Sequence, residues 1–132
     1  MNQDNMNISK VESFLNGLLD KKVSDNMFFG NMVGKEMING EWNDMVLVEV
    51  PNGIYDNDAY GQGTALVTLY ARPLSSGRKN VGVMSMLETK LNEAIKSNTS
   101  NVYNINRRQT YTYYDNDIDW HCNVVELNIL IV

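Results

Sequence analysis

Between Thr64 and Arg72 the chain alternates, with Ala65, Val67, Leu69 and Ala71 on one side and Thr64, Thr68, Tyr70 and Arg72 largely on the other. Successive side chains of a strand point to opposite faces, so this run reads as a strand with one buried face. Such a face needs apolar cover, and the chain supplies two amphipathic helices that could give it. Val11, Phe14, Leu15, Leu18 and Leu19 recur at i, i+3, i+4, i+7 and i+8 and form the first stripe. Ser9 and Glu12 stand at capping-box spacing before it, and Lys21 and Lys22 suit its C-terminus. Val83, Met84, Leu87, Leu91, Ala94 and Ile95 form the second stripe, with Asn80 placed to cap it.

The remaining segments read mostly as strands. Met45–Val50 is apolar and stops at Pro51-Asn52-Gly53. Val102–Tyr114 ends in Thr110-Tyr111-Thr112-Tyr113-Tyr114, a β-branched and aromatic texture. Asp115-Asn116-Asp117 turns the chain into a last strand, where Val125, Leu127, Ile129 and Ile131 alternate with Glu126 and Asn128. Residues 54–63 form a glycine-ended, acidic, tyrosine-bearing loop. In residues 23–41, glycines at 30, 34 and 40 interrupt Met27, Phe28, Phe29, Met32, Val33, Met37 and Ile38 without a clean period. That stretch is expected to be a long connection holding a short strand or helical turn, of a length usually tied to function. The expected fold is α+β, a small mostly antiparallel sheet packed with two helices in the order α-β-β-α-β-β. Residues 1–7 are expected to be a flexible tail and 8–132 a single domain.

A chain of 132 residues can bury a core without staples. Its formal charge of −5 opposes a duplex-DNA or anionic-membrane role. Cys122 is the single cysteine, so no internal disulfide exists. No apolar run approaches the ~18 residues of a membrane span, and the N-terminus lacks a signal-peptide layout, which makes a cytoplasm the expected site of synthesis. Frequent asparagine and scarce proline match an AT-rich coding genome, the texture of a phage or low-GC bacterium.

The residue constellations that tempt a chemical reading fail on geometry. His121 and Cys122 are neighbours on a strand and point to opposite faces, so they cannot act as base and nucleophile. One histidine and one cysteine exclude multi-histidine and paired-thiolate zinc sites. Asp115, Asp117, Asp119 and Glu126 follow calcium-loop spacing, but Trp120 stands where that loop needs glycine. Gly61-Gln62-Gly63 lacks the further glycine and lysine of a phosphate loop. Arg107-Arg108 amid tyrosines is a thin signal for single-stranded nucleic acid and fits an inter-subunit contact better. Asp56 and Asp58 are weak as paired catalytic carboxylates, because no framework shapes them. Tyr55 and Tyr60 beside them suit a contact loop, as do Phe28 and Phe29 next to Gly30. No catalytic residue, metal or cofactor is expected. The assembly candidates are Phe28, Phe29, Tyr55, Asp56, Asp58, Tyr60, Arg78, Arg107 and Arg108.

Met45–Pro51, the Gly63–Arg72 strand with Tyr70 and Arg72, the Val83–Ile95 helix, and Tyr111–Ile131 with Asp115, Asp119 and Trp120 carry a resemblance. In order and texture they are similar to the tail-terminator and tail-completion proteins of tailed bacteriophages. The resemblance implies a non-enzymatic virion protein of the head–tail neck, made in the host cytoplasm and acting as a homo-oligomeric ring, hexameric or dodecameric. Its partners would be copies of itself and other neck, portal or tail proteins. Genomic DNA would pass through without sequence-specific binding, and no membrane would be involved. The long 23–41 stretch departs from the leaner family pattern. The competing expectation is a small phage or bacterial regulator that binds another protein as a monomer or dimer.

Overall fold

The computed structural model describes residues 3–30, 33–57 and 59–132; Met32 and Asp58, both named above, lie outside the described residues. Helix α1 spans Ile8–Leu19 and α2 spans Val81–Lys96. The strands are β1 (Met27–Phe29), β2 (Asp44–Glu49), β3 (Tyr55–Asp56), β4 (Gly61–Ala71), β5 (Tyr103–Asp115) and β6 (Trp120–Ile131). They form one six-stranded mixed sheet in the order β1-β2-β4-β6-β5, with β3 also on β4. The expected order α-β-β-α-β-β is therefore corrected to α-β-β-β-β-α-β-β in a protein that is α+β overall. β1 pairs parallel to β2, whereas every other strand pair is antiparallel.

Local contacts explain the two additional strands. The Ser24 hydroxyl donates to the Asp44 carboxylate, and the Asn26 amide donates to the Asp44 carbonyl at 3.0 Å, laying Met27–Phe29 alongside β2. β3 pairs Tyr55 with Gln62 and Asp56 with Gly61, on the same side of β4 as β2 but beyond its end. The two glycines at this end of β4 serve packing. A Cβ on Gly61 would lie 2.8 Å from Met6 Sδ, and one on Gly63 would lie 2.6 Å from Ile54 Cδ1. Met6 belongs to the segment read as a tail, which carries a 3-10 turn, Gln3–Met6, and places Met6 against the core.

Both helices cover one sheet face. Val11, Leu15 and Leu19 of α1 and Met84, Leu87, Leu91 and Ala94 of α2 are buried against it. They meet Val46 and Val48 of β2, Ala65, Val67 and Leu69 of β4, and Val125, Leu127, Ile129 and Ile131 of β6. Phe14 stacks on Tyr103 with ring centroids 4.6 Å apart. Asn80 caps α2, accepting the Val83 N–H at 3.2 Å. The box expected at Ser9 and Glu12 does not cap α1: the helix starts at Ile8 from Asn7, which leaves Ser9 inside the first turn.

Residues 33–42 form a strap across one end of the opposite face. Val33, Ile38 and Trp42, with Phe28 from β1, pack on Met45, Leu47, Tyr70, Ile118, Trp120 and Cys122. The Arg72 guanidinium lies 4.7 Å from the Trp120 ring centroid. It donates to the Trp42 carbonyl at 2.6 Å and the Asn39 carbonyl at 3.2 Å. Lys35 reaches Asp119 at 3.4 Å, but both side chains are largely exposed and the pair adds little. Arg72 is therefore the main polar anchor of the strap. Arg72→Ala is expected to cost about 2 kcal/mol. Trypsin should then cut after Lys35 faster, while Arg72→Lys should rescue poorly because it lacks the planar fork.

Candidate interface surfaces

β5 is the last strand of the sheet and, among the described residues, pairs only with β6. The ladder runs from Tyr103 opposite Ile131 to Asp115 opposite Trp120, with a bulge at Arg108 between the Arg107–Leu127 and Gln109–Glu126 pairs. Beyond Ile105 the strand leaves the shelter of the helices, and residues 106–114 are exposed on both faces. Tyr111, Tyr113 and Tyr114 are 40–46% exposed, which leaves part of each residue open to a partner. The β texture of these tyrosines was legible in the sequence. Their place on an outer edge was not, since it depends on which strand ends the sheet.

The assembly candidates divide between the two ends of the sheet. Arg107 and Arg108 sit on β5, where Arg107 donates to Asn92 Oδ1 at 2.7 Å and Arg108 pairs with Glu126 at 3.4 Å. Arg78 is exposed in the turn before α2, next to Gly77, whose carbonyl meets His121 Nε2 at 3.2 Å. At the other end, β3 exposes Tyr55 and Asp56, and half-buried Tyr60 closes the turn by donating its N–H to Asn57 Oδ1 at 3.1 Å. β1, on that same side of β4, carries Phe28 and Phe29, both half-buried. Phe28 packs near Trp42 under the strap, and Phe29 packs on the helix-side core. The candidates thus form two separate surfaces rather than one patch.

Between the strap and β5 lies a cleft of about 200 Å³, lined by Leu47, Thr68, Tyr70 and Tyr113 with Glu49, Asp115 and Asp117 around it. Burial pushes the Tyr113 phenol up to about 12, with the nearby Cys122 and Asp115 adding to the shift. Burial pushes the Cys122 thiol up to about 12 as well, again reinforced by Asp115, so it is not a thiolate near neutrality. Tyr70 is raised further, chiefly by burial. These groups hold their protons more tightly when folded, while the unfolded chain releases them near pH ~8.5 for Cys and ~10 for Tyr. Stability from this cluster is therefore complete below pH ~8.5 and declines as pH rises towards ~12. Thermal melts should show that decline, and Tyr113→Phe should flatten it.

His121 and Cys122 lie on opposite faces. His121 packs edge-on against Tyr114 at 4.9 Å, and Cys122 is buried beneath the strap. Asp115 Oδ1 accepts the Asp117 N–H at 2.9 Å, Asp119 sits at φ 61° and faces Lys35, and Glu126 pairs with Arg108. These carboxylates serve the turn and the strand pair. Among the described residues, no three His, Cys, Asp or Glu side chains converge as metal ligands. Among those residues, too, no helix is long and apolar enough to cross a membrane. No protein-family model matches the chain, and no curated protein is similar to it.

Proposed function

We propose that the chain is a structural protein of the bacteriophage head–tail neck, akin to tail-terminator and tail-completion proteins. In this reading it works as a homo-oligomeric ring, hexameric or dodecameric, between portal or adaptor and tail. The observation that carries the reading is that unlike surfaces lie at opposite ends of one sheet. β3 presents Tyr55 and Asp56, with Asp58 following in sequence, whereas the far edge presents Arg107 and Arg108. A ring closes through heterologous contacts, in which one patch meets a different patch on the next subunit. An acidic, aromatic patch facing a basic one meets that requirement with complementary charge. Phe28 and Phe29, half-buried on β1, lie on the same side of β4 as the first surface, and Arg78 is exposed in the turn before α2. The formal charge of −5 supports free passage of DNA, because an acidic lumen repels phosphates.

On this reading the chain acts by contact and performs no catalysis, in the host cytoplasm during assembly and then in the particle. The test is to delete its gene in the encoding phage and examine the particles by electron microscopy and mass spectrometry. Intact wild-type particles should contain the chain, and deletion should leave unjoined heads and tails. Wild-type particles lacking the chain would end the proposal in favour of a non-virion regulator.

A further inference from the structure

The outer edge of β5 is unprotected in a way that calls for a strand partner. An edge strand presents unpaired N–H and C=O groups outward, and soluble proteins blunt such edges with charges, prolines or short length. β5 is 13 residues long. From Gln109 to Tyr114 it reads Gln-Thr-Tyr-Thr-Tyr-Tyr, all exposed, with no charged residue and no proline, while Lys79 Nζ donates to Thr112 Oγ1 at 2.8 Å and Arg107 donates to Thr110 Oγ1 at 2.7 Å. The bulge at Arg108 lies at the start of this stretch and leaves the ladder from Gln109 to Asp115 regular. Charges flank the stretch with opposite sign, Arg107 and Arg108 before it and Asp115 and Asp117 after it. A second β5 laid antiparallel brings each arginine pair beside the partner's Asp115 and Asp117. A parallel one would set like charges together.

We infer that the free chain is a two-fold dimer in which β5 pairs antiparallel with β5 of a second copy. Centred on Thr112, the pairing sets Thr112 against the partner's Thr112, Tyr111 against the partner's Tyr113 and Thr110 against the partner's Tyr114. Thr–Thr and aromatic pairs of this kind stabilise antiparallel strands. The contact is isologous, so it uses up the edge and stops at two copies, where a head-to-tail edge contact could propagate. Arg108 is available for it, being 65% exposed despite its bridge to Glu126. The dimer does not depend on the neck reading. In a neck ring it would be an alternative to the ring contact, because both use Arg107 and Arg108.

Sedimentation equilibrium of the purified full chain tests the pairing. The wild type should be dimeric at concentrations near ~0.1 mM. Arg107→Glu with Arg108→Glu should weaken the dimer at least about tenfold. Adding Asp115→Lys and Asp117→Lys to those two changes should restore it. Circular dichroism of the double arginine variant should match the wild type, since Arg107 and Arg108 are exposed and lie outside the core. Independently, Thr112→Cys should cross-link to a second copy with a short bis-maleimide, whereas the buried Cys122 of the wild type should not. A monomer throughout, a dimer indifferent to charge reversal, or an oligomer that Thr112→Cys fails to cross-link would each overturn the inference. Absence of the chain from phage particles would leave these outcomes unchanged.

Discussion

Leu127→Ala is expected to destabilise the protein by about 3–4 kcal/mol. Leu127 lies in β6, an interior strand of the sheet, is fully buried, and points to the helix-covered face. Its neighbour across the β4 ladder is Ala65, too small to close the space a truncated side chain would leave. The loss combines the transfer free energy of the deleted methyl groups with a cavity among neighbours that can only partly collapse. For a domain of this size, the melting temperature should fall by roughly 10–15 °C. The comparison that isolates burial is Leu130→Ala, three residues on. Leu130 is half-buried on the opposite, open face, and its truncation should cost under about 1 kcal/mol. Equal effects at the two positions, measured by urea denaturation, would mean that the helices do not cover the face assigned to them.

Trp120→Ala is expected to cost about 3–5 kcal/mol and to loosen the strap. Trp120 is 3% exposed and belongs to the second core, with Met45, Leu47, Tyr70, Ile118 and Cys122. Removing the indole opens a void beneath residues 33–42 and withdraws the surface on which Arg72 rests. Arg72 would keep its bonds to the Trp42 and Asn39 carbonyls but lose the platform that orients it. Limited proteolysis should show early cleavage in the strap, with β4 and β6 protected until global unfolding. Trp120→Phe, which retains an aromatic face, should cost clearly less.

The long elements were legible because their periods are long enough to read. The stripes of Val11, Leu15 and Leu19 and of Met84, Leu87 and Leu91 repeat at helical spacing, and Ala65–Ala71 and Val125–Ile131 alternate. β1 and β3, with three and two residues, are too short for alternation to appear, and their absence from the expected order is what the structure corrects. β1 owes its place to long-range bonds from Ser24 and Asn26 to Asp44, which no local pattern announces. The strap resisted reading for a related reason. Val33, Ile38 and Trp42 cover a sheet face from irregular backbone, so their spacing follows the surface beneath them and not a helix or strand. Among the candidate site residues, exposed Tyr55 and Arg107 could be picked out by type alone. That they lie at opposite ends of the sheet required the topology, as did the exposure of Tyr111 and Tyr113 along an open edge.

The most direct measurement of the assembly role is a cryo-electron reconstruction of the neck in particles of the encoding phage. The expected result is a closed ring whose subunit has this six-stranded sheet under two helices, with Tyr55 and Asp56 of one copy facing Arg107 or Arg108 of the next. A neck resolved in full, with every ring accounted for by other chains, would contradict it.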